Sequence, residues 1–115
     1  MTQYSRGRDF EWKVRDDLKE KGYHVIRSAG SKTKVDLVAS GNRTVYFIQC
    51  KLETISGKEK GELYRISTEA GAEPVIASRT KDGRRYAITY GRVNCLGEVT
   101  PWLIPSLPTQ GPSKT

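Results

Sequence analysis

The first periodic stretch of the chain has an apolar residue at every fourth position, at Phe10, Val14 and Leu18. This spacing puts the three side chains on one side of an α-helix. It predicts a helix over residues 8–21, ended by Gly22, because glycine often follows the last helical residue. Glu11 lies next to two of the apolar positions on the helical wheel. Its carboxylate therefore borders the buried face and needs a partner there.

Short runs of β-branched and aromatic residues follow this helix and predict three strands, at residues 23–28, 35–40 and 44–51. Gly41 and Asn42 mark the turn between the second and third strands. Two registers are open for this hairpin. A four-residue loop places Asp36 directly opposite Gln49 on one face of the sheet, whereas a two-residue loop places it opposite Phe47.

Weaker signals predict the elements of the second half of the chain. A polar, glycine-containing loop is expected at residues 55–60, followed by a second helix at residues 62–70. The sequence Lys-Asp-Gly at positions 81–83 is a hairpin turn signal. We therefore expect two strands around it and one short strand after them, at residues 75–78, 84–89 and 92–95.

The length and composition suit one globular domain, since 36% of the 115 residues are hydrophobic. We place this domain at residues 1–106 and expect a disordered, proline-rich tail at residues 107–115. No apolar run approaches the length of a membrane span, and the first residues lack a secretory apolar region. The sequence therefore predicts an intracellular, cytoplasmic protein.

The charge of the chain points to an anionic partner. The formal net charge is +7 and the isoelectric point is about 9.6, which is a large excess for so small a protein. Nucleic acid is the commonest partner of such a surface. The two cysteines and one histidine do not have the spacings of a structural zinc site.

The third predicted strand ends in polar residues that are suited to metal binding and catalysis. Side chains alternate along a strand, so Gln49 and Lys51 project from one face and Cys50 from the other. Oxygen ligands suit Mg²⁺, and they are available from the Asp36 carboxylate, the Gln49 amide and the Cys50 backbone carbonyl, with Glu11 as a further ligand, direct or through water. Carboxylate-held magnesium and a lysine supply what phosphodiester hydrolysis requires.

These residues lie in four segments, RGRDFEWKV at 6–14, GYHVIRSAGS at 22–31, VDLVA at 35–39 and FIQCK at 47–51. Together the segments resemble the PD-(D/E)xK nucleases, and more narrowly the archaeal-type Holliday junction resolvases, some of which phages encode. The resemblance covers residues 6–51. It implies an α/β fold of the restriction-endonuclease-like kind, with a central mixed β-sheet flanked by helices.

The resemblance also implies roles for individual residues. Glu11 takes the place of the helix carboxylate of the family, Asp36 that of the metal-binding aspartate and Lys51 that of the catalytic lysine. Arg27 and Ser31 take the places of an arginine and a loop serine that contact or orient the scissile strand.

Gln49 departs from the family pattern, which usually has glutamate at this position, although related nucleases use Q-x-K. The amide carries one negative charge less than a carboxylate. On charge alone, Gln49→Glu should therefore lower the Mg²⁺ concentration needed for cleavage.

The function implied is that of a homodimeric, Mg²⁺-dependent enzyme, with Mn²⁺ as a substitute, that binds four-way DNA junctions by shape and makes paired nicks. Phosphate contacts are expected from Arg6, Arg8, Lys32 and Lys34. Two alternatives stay open. One is a related endonuclease for flaps or plain duplex, and the other is a nuclease-fold module that binds DNA without cutting, with Gln49 as the mark of lost catalysis.

Overall fold

The first helix covers one face of a sheet with the side chains that the four-residue spacing selected. The computed structural model describes residues 3–28, 35–52 and 55–107. Helix α1 spans Gln3–Glu20, five residues longer at its start than predicted. Phe10, Val14 and Leu18 are all buried, and Gly22 follows the helix with a φ of 100°. The predicted face of this helix is confirmed.

In the described residues the strands form one mixed sheet of six strands in the order β1-β2-β3-β4-β5-β6. Of the strands in this part of the chain, only β3 and β4 are parallel to each other, and helix α2 makes the crossover between them. With α1 on one face and α2 on the other, this is the predicted central mixed sheet flanked by helices. The strands span His24–Arg27, Leu37–Gly41, Thr44–Lys51, Glu73–Asp82, Arg85–Val93 and Val99–Trp102.

The β2–β3 hairpin has the register of the first alternative, with the start of β2 beside Gln49, although its turn is the tighter one of two residues. Ser40 pairs with Val45, and Gly41 pairs with Thr44. Asn42 and Arg43 form the turn with φ values of 52° and 63°. Two consecutive positive φ values belong to the type I′ turn, whose twist matches that of the flanking strands. Strand β3 has the predicted bounds, so the position of its polar end is confirmed.

Helix α2 starts earlier than predicted and spans Gly57–Ala70, so the expectation of a polar loop at residues 55–60 was wrong in most of its length. The reason is a capping box. The Ser56 side chain accepts a hydrogen bond from the backbone N–H of Glu59, and the Glu59 side chain accepts one from the backbone N–H of Ser56. These hydrogen bonds satisfy backbone N–H groups that have no partner within the helix at its start, and they stabilise a polar segment as helix.

The β4–β5 hairpin is longer than predicted, and the expected separate strand at residues 92–95 was wrong. Strand β5 continues to Val93, and a turn stabilised by Asn94 leads into β6. The Asn94 carboxamide oxygen accepts hydrogen bonds from the backbone N–H groups of Leu96 and Glu98. Because these side-chain hydrogen bonds define the turn, the hydrophobic pattern of the sequence does not indicate it.

The last residue of β6 and the segment after it pack near the starts of β1 and β3. Trp102 lies 5.0 Å from Tyr46 between ring centroids, and the Tyr23 hydroxyl donates to the carbonyl of Pro105. The backbone N–H of Leu107 donates to the carbonyl of Lys21 at 2.7 Å. Leu107 therefore packs with the domain, although we assigned it to the tail, and residues 108–115 lie outside the described residues.

Hydrophobic clusters lie on both faces of the sheet, one under each helix. The cluster under α1 includes Leu37, Ala39 and Ile48, and the cluster with Leu63 of α2 includes Val35 and Ile76. Neither helix in the described part of the chain is long and apolar enough to cross a membrane.

Gly41 allows the C-terminal segment to approach the sheet, and this contact is testable. A Cβ atom there would lie 2.3 Å from Cδ1 of Leu107 and 2.9 Å from the Tyr23 ring. We expect Gly41→Ala to lower the free energy of unfolding by about 1–3 kcal/mol through overpacking. Gly61→Ala is the control, because Gly61 lies in α2 and, apart from the backbone of its own helix and its chain neighbours, no described residue has an atom within 4 Å of such a Cβ. It should raise stability by about 0.5–1 kcal/mol. Urea unfolding that ranks the two variants in the opposite order would contradict this packing.

Candidate active site

A β-bulge lies at the start of β2 and sets the direction of Asp36. The backbone N–H of Asp36 donates to the carbonyl of Ile48 at 2.8 Å, although Ile48 is the register partner of Leu37. Two consecutive residues of one strand thus face one residue of the next, which is the arrangement of a bulge. Strict alternation had placed Asp36 on the face of Gln49. The bulge instead turns its carboxylate toward the backbone of β3.

The Asp36 carboxylate is anchored in the middle of the Gln49-Cys50-Lys51 segment. Its Oδ2 atom accepts the backbone N–H of Cys50 at 2.7 Å. A strand residue directs its N–H and C=O groups toward the same neighbouring strand, so the Cys50 carbonyl also faces this side. The carboxylate and the backbone carbonyl that we expected as ligands therefore lie on the same side of β3.

The surroundings of Asp36 make its ionisation unfavourable. Burial raises the pKa of Asp36 to about 6, although the hydrogen bond from Cys50 acts in the opposite direction. The nearby Glu11 carboxylate raises this pKa further, while the charges of Lys51 and Arg27 lower it. Four of the residues expected at the site thus interact electrostatically, and a cation placed beside Asp36 would favour its ionised form.

Glu11 reaches the site from α1 and is paired with Arg27 of β1. The Nε atom of Arg27 lies 3.2 Å from Oε1 of Glu11. The side chain of Glu11 is 20% exposed, so the carboxylate at the border of the buried face has the partner that its position requires.

Gln49 and Lys51 project from the same face of β3, as alternation predicts, and both contact Glu59 of α2. Lys51 Nζ lies 3.0 Å from Glu59 Oε2, and Gln49 Nε2 donates to the same oxygen at 3.5 Å. Gln49 is only 5% exposed. Its Oε1 atom is buried and has no hydrogen-bond partner among the described residues.

The remaining expected site residues lie at the margins of what the structure describes. Ser31, Lys32 and Lys34 lie outside the described residues, as does the side chain of Arg6. Arg8 is half-buried on α1, and its guanidinium lies 5.8 Å from the centroid of the Trp12 ring.

Comparison with known proteins identifies the family of this chain. Residues 2–90 match the profile of the family described as archaeal Holliday junction resolvase, Hjc. The chain belongs to this family. Because the match covers α1, the site strands and most of β5, it includes every residue placed at the site above.

Two relatives support the assignment. The crossover junction endodeoxyribonuclease Hjc of Methanocaldococcus jannaschii is 34% identical over 80 residues, which are 65% of this chain and 59% of that protein. This chain thus spans less than two thirds of the length of that relative. The solved structure of Hjc from Archaeoglobus fulgidus, a Holliday junction resolvase from an archaeal hyperthermophile, is similar with a TM-score of 0.61 and 29% identity. That match covers 74% of this chain and 70% of the other.

Sequence reasoning missed Glu59, the residue that contacts both Gln49 and Lys51. It lies in the segment that we predicted as a loop. A signal was present, because a serine followed three residues later by glutamate is the pattern of a capping box. The Lys51 hydrogen bond and then the Ser56 backbone N–H lower the pKa of Glu59, so it is charged at neutral pH.

The cysteine at the site is a packing residue in this Hjc family member. Burial raises the pKa of the Cys50 thiol, and the charges of Asp36 and Glu11 raise it further. The thiol is therefore neutral and a poor nucleophile. Among residues 3–28, 35–52 and 55–107, no three His, Cys, Asp or Glu side chains cluster as metal ligands. The oxygen donors at this site include an amide and a backbone carbonyl, which are not among those residue types.

A basic surface lies at the same end of the sheet as the site. Ser78 of β4 pairs with Lys51, and β4 continues for four residues beyond it, to Asp82. Those residues extend about 13 Å at roughly 3.3 Å per residue. We call residues 79–86 the basic hairpin, because they include Arg79, Lys81, Arg84 and Arg85. The Arg79 guanidinium stacks on Tyr86 at 4.1 Å from the ring centroid.

The pKa of Asp36 leads to a pH-dependent prediction. Since folding raises this pKa to about 6, protonation of Asp36 stabilises the fold at low pH, and this contribution is lost as the pH rises through 6. In the absence of metal, we expect the free energy of unfolding of Asp36→Asn at pH 7.5 to exceed that of wild type by on the order of 2 kcal/mol. The difference should vanish toward pH 4.

Urea unfolding with EDTA between pH 4 and pH 8 measures this difference. Asp16→Asn is the control, because Asp16 is an α1 carboxylate that is 66% exposed, and it should change stability little at any pH. A difference between Asp36→Asn and wild type that does not vary with pH would contradict the burial of this carboxylate.

Proposed function

We propose that this protein is a metal-dependent endonuclease that resolves four-way DNA junctions. The observation that carries the proposal is the position of Asp36, a buried carboxylate held against the β3 backbone and influenced by Glu11, Lys51 and Arg27. Placing an aspartate in so unfavourable a position is costly unless its charge is used. The family supports the substrate, since its relatives are named for Holliday junctions and crossover junctions.

The donors at the site fit a hard divalent cation, which we propose to be Mg²⁺ with Mn²⁺ as a substitute. Asp36, the Gln49 amide oxygen and the Cys50 carbonyl would hold it, with Glu11 as a further ligand, direct or through water. The buried Oε1 atom of Gln49 supports this assignment, because it lacks a hydrogen-bond partner in the described part of the protein. When bound, such a cation lowers the pKa of a water molecule and stabilises charge on the phosphate.

The side chains of the chain itself perform the remaining tasks. Lys51 places a positive charge where the phosphate gains negative charge during attack. The Arg27 side chain is more exposed than that of Glu11, and we assign Arg27, together with Ser31, to orienting the scissile strand. Glu11 in turn holds Arg27 at the site through their ion pair.

DNA binding is proposed to rest on phosphate contacts on both sides of the cleavage site. Arg6, Arg8, Lys32 and Lys34 are assigned to the phosphates near the scissile bond. The basic hairpin extends beyond the same end of the sheet, so we assign it to a neighbouring arm of the junction. Such contacts position the enzyme on a DNA shape without reading bases.

A homodimer is part of the proposal, because a four-way junction needs two incisions and each chain carries one set of site residues. A two-fold protein suits the approximate two-fold symmetry of the junction.

The neutral Gln49 favours one other function, a nuclease fold that binds junctions without cutting. Cleavage assays separate the two. We expect wild type with Mg²⁺ to bind a labelled four-way junction far more tightly than matched duplex and to cut it with two-fold symmetry. EDTA, Asp36→Asn or Lys51→Ala should abolish cleavage and leave junction binding intact. Equal affinity for duplex would contradict the resolvase function, and intact binding with no cleavage in any metal would favour the non-cutting module.

The contribution of the basic hairpin is measurable from the salt dependence of junction binding. We expect Arg84→Gln/Arg85→Gln to reduce the slope of log affinity against log salt by about 1–2, since each lost phosphate contact contributes roughly 0.9. Lys19→Gln/Arg43→Gln is the matched control, because it removes the same charge from exposed residues at the opposite end of the sheet. Equal slopes for the two double variants would contradict a specific role of the hairpin.

A further inference from the structure

The start of α2 forms a second wall of the candidate site, and Glu59 is its central residue. The two carboxylate oxygens of Glu59 have separate partners. Oε1 accepts from the Ser56 backbone N–H at 3.3 Å and from the Ser56 hydroxyl at 3.2 Å. Oε2 lies 3.0 Å from Lys51 Nζ and 3.5 Å from Gln49 Nε2. One carboxylate therefore links the helix cap to both polar side chains of β3.

The contact with Glu59 determines how the Gln49 amide is oriented. An amide has a donor end and an acceptor end, and a carboxylate accepts hydrogen bonds but does not donate them. The Nε2 end must therefore face Glu59. The Oε1 end then points away from it, is buried, and has no partner among the described residues. A buried carbonyl oxygen without a donor is unfavourable, and a cation would satisfy it.

We propose that Glu59 is a positioning residue, which orients the Gln49 amide so that its oxygen is presented to a divalent cation and which holds Lys51 beside it. This inference rests on the proposed function and extends it to a residue outside the β-strands. Glu59 touches neither the cation nor the DNA in this role. It acts through Gln49 and Lys51, as residues that hydrogen-bond to metal ligands generally do.

The same contact explains how a glutamine serves where the family usually has glutamate. A carboxylate at position 49 would face the Glu59 carboxylate at close range in a partly buried place, and the two charges would repel. With glutamine at position 49, the negative charge resides on Glu59, one hydrogen bond away. Gln49 and Glu59 are thus a matched pair, and the expectation that Gln49→Glu alone improves the site no longer follows.

Metal affinity separates positioning from helix capping. Binding of Mn²⁺ to the free protein, measured by isothermal titration calorimetry, is expected to weaken about 10- to 100-fold in Glu59→Ala. Cleavage of a four-way junction should then require correspondingly more Mg²⁺. Ser56→Ala is the matched control, because it removes the cap hydroxyl and leaves the contacts of Glu59 with β3. It should lower the unfolding temperature by a few degrees and keep the wild-type Mn²⁺ affinity.

The conservative variant Glu59→Gln distinguishes orientation from charge. Its amide oxygen still accepts from Gln49, so its Mn²⁺ affinity should lie much closer to wild type than that of Glu59→Ala. Equal losses in Glu59→Gln and Glu59→Ala would overturn the positioning role, as would an unchanged affinity in Glu59→Ala. A wild type that binds no Mn²⁺ and cuts no DNA would overturn the proposed function together with this role, whereas a cutting wild type with an indifferent Glu59 would overturn only the role.

A charge swap tests the matched pair without metal or DNA. In EDTA, Gln49→Glu should lower the midpoint of thermal unfolding, and the double variant Gln49→Glu/Glu59→Gln should recover most of the loss because the pair again carries one charge and one amide. In Mg²⁺, the double variant should cleave at lower metal concentration than Gln49→Glu alone. Additive effects of the two substitutions on the midpoint would overturn the pairing.

Discussion

The hydrogen bond from the Cys50 backbone N–H to the Asp36 carboxylate is the contact on which the candidate site depends. The carboxylate oxygen, 2.7 Å from this N–H, occupies the position that a backbone carbonyl would have if β2 continued. The contact therefore ends the β2–β3 ladder and completes the bulge. A carboxylate in this position is desolvated, and one backbone donor does not offset that cost, as its raised pKa shows. The fold therefore tolerates an aspartate whose ionised form is unfavourable unless a positive charge lies beside it.

The second constraint is the parallel pairing of β3 and β4. Parallel neighbours need a crossover, and α2 provides it, so the chain that leaves β3 at Lys51 must soon begin a helix. The cap of that helix consequently lies beside the polar end of β3. Glu59 completes the cap with one oxygen and contacts the strand with the other, which ties local helix stability to the geometry of the site.

Charge is divided between two regions at one end of the sheet. The site itself contains the carboxylates of Glu11, Asp36 and Glu59, which Arg27 and Lys51 balance only in part. The excess of positive charge lies outside it, in part on the basic hairpin that β4 carries past the end of β3. Long-range attraction for polyanions therefore arises mainly outside the site, while the site itself keeps a local excess of negative charge.

Local sequence pattern was sufficient to predict a feature wherever the deciding interaction is between residues close together in the chain. The four-residue spacing of α1 selected its buried face, the turn signal at Gly41 and Asn42 located the β2–β3 hairpin, and alternation along β3 put Gln49 and Lys51 on one face. The same signal left two registers open for that hairpin, and only the strand pairing in the folded protein decides between them. The segments at residues 6–51 also carried the family resemblance, which the profile match confirmed.

Tertiary structure decided the features that join distant residues. The carboxylate of Asp36 is directed by a contact with Cys50, 14 residues away, and no periodicity of β2 reveals a bulge. Glu59 becomes part of the site only because the crossover returns α2 to the end of β3. Leu107 is ordered by the carbonyl of Lys21 and by the open space at Gly41, although its own surroundings in sequence are proline-rich. Each of these depends on how separate elements pack, since side-chain spacing encodes only which face of an element is buried.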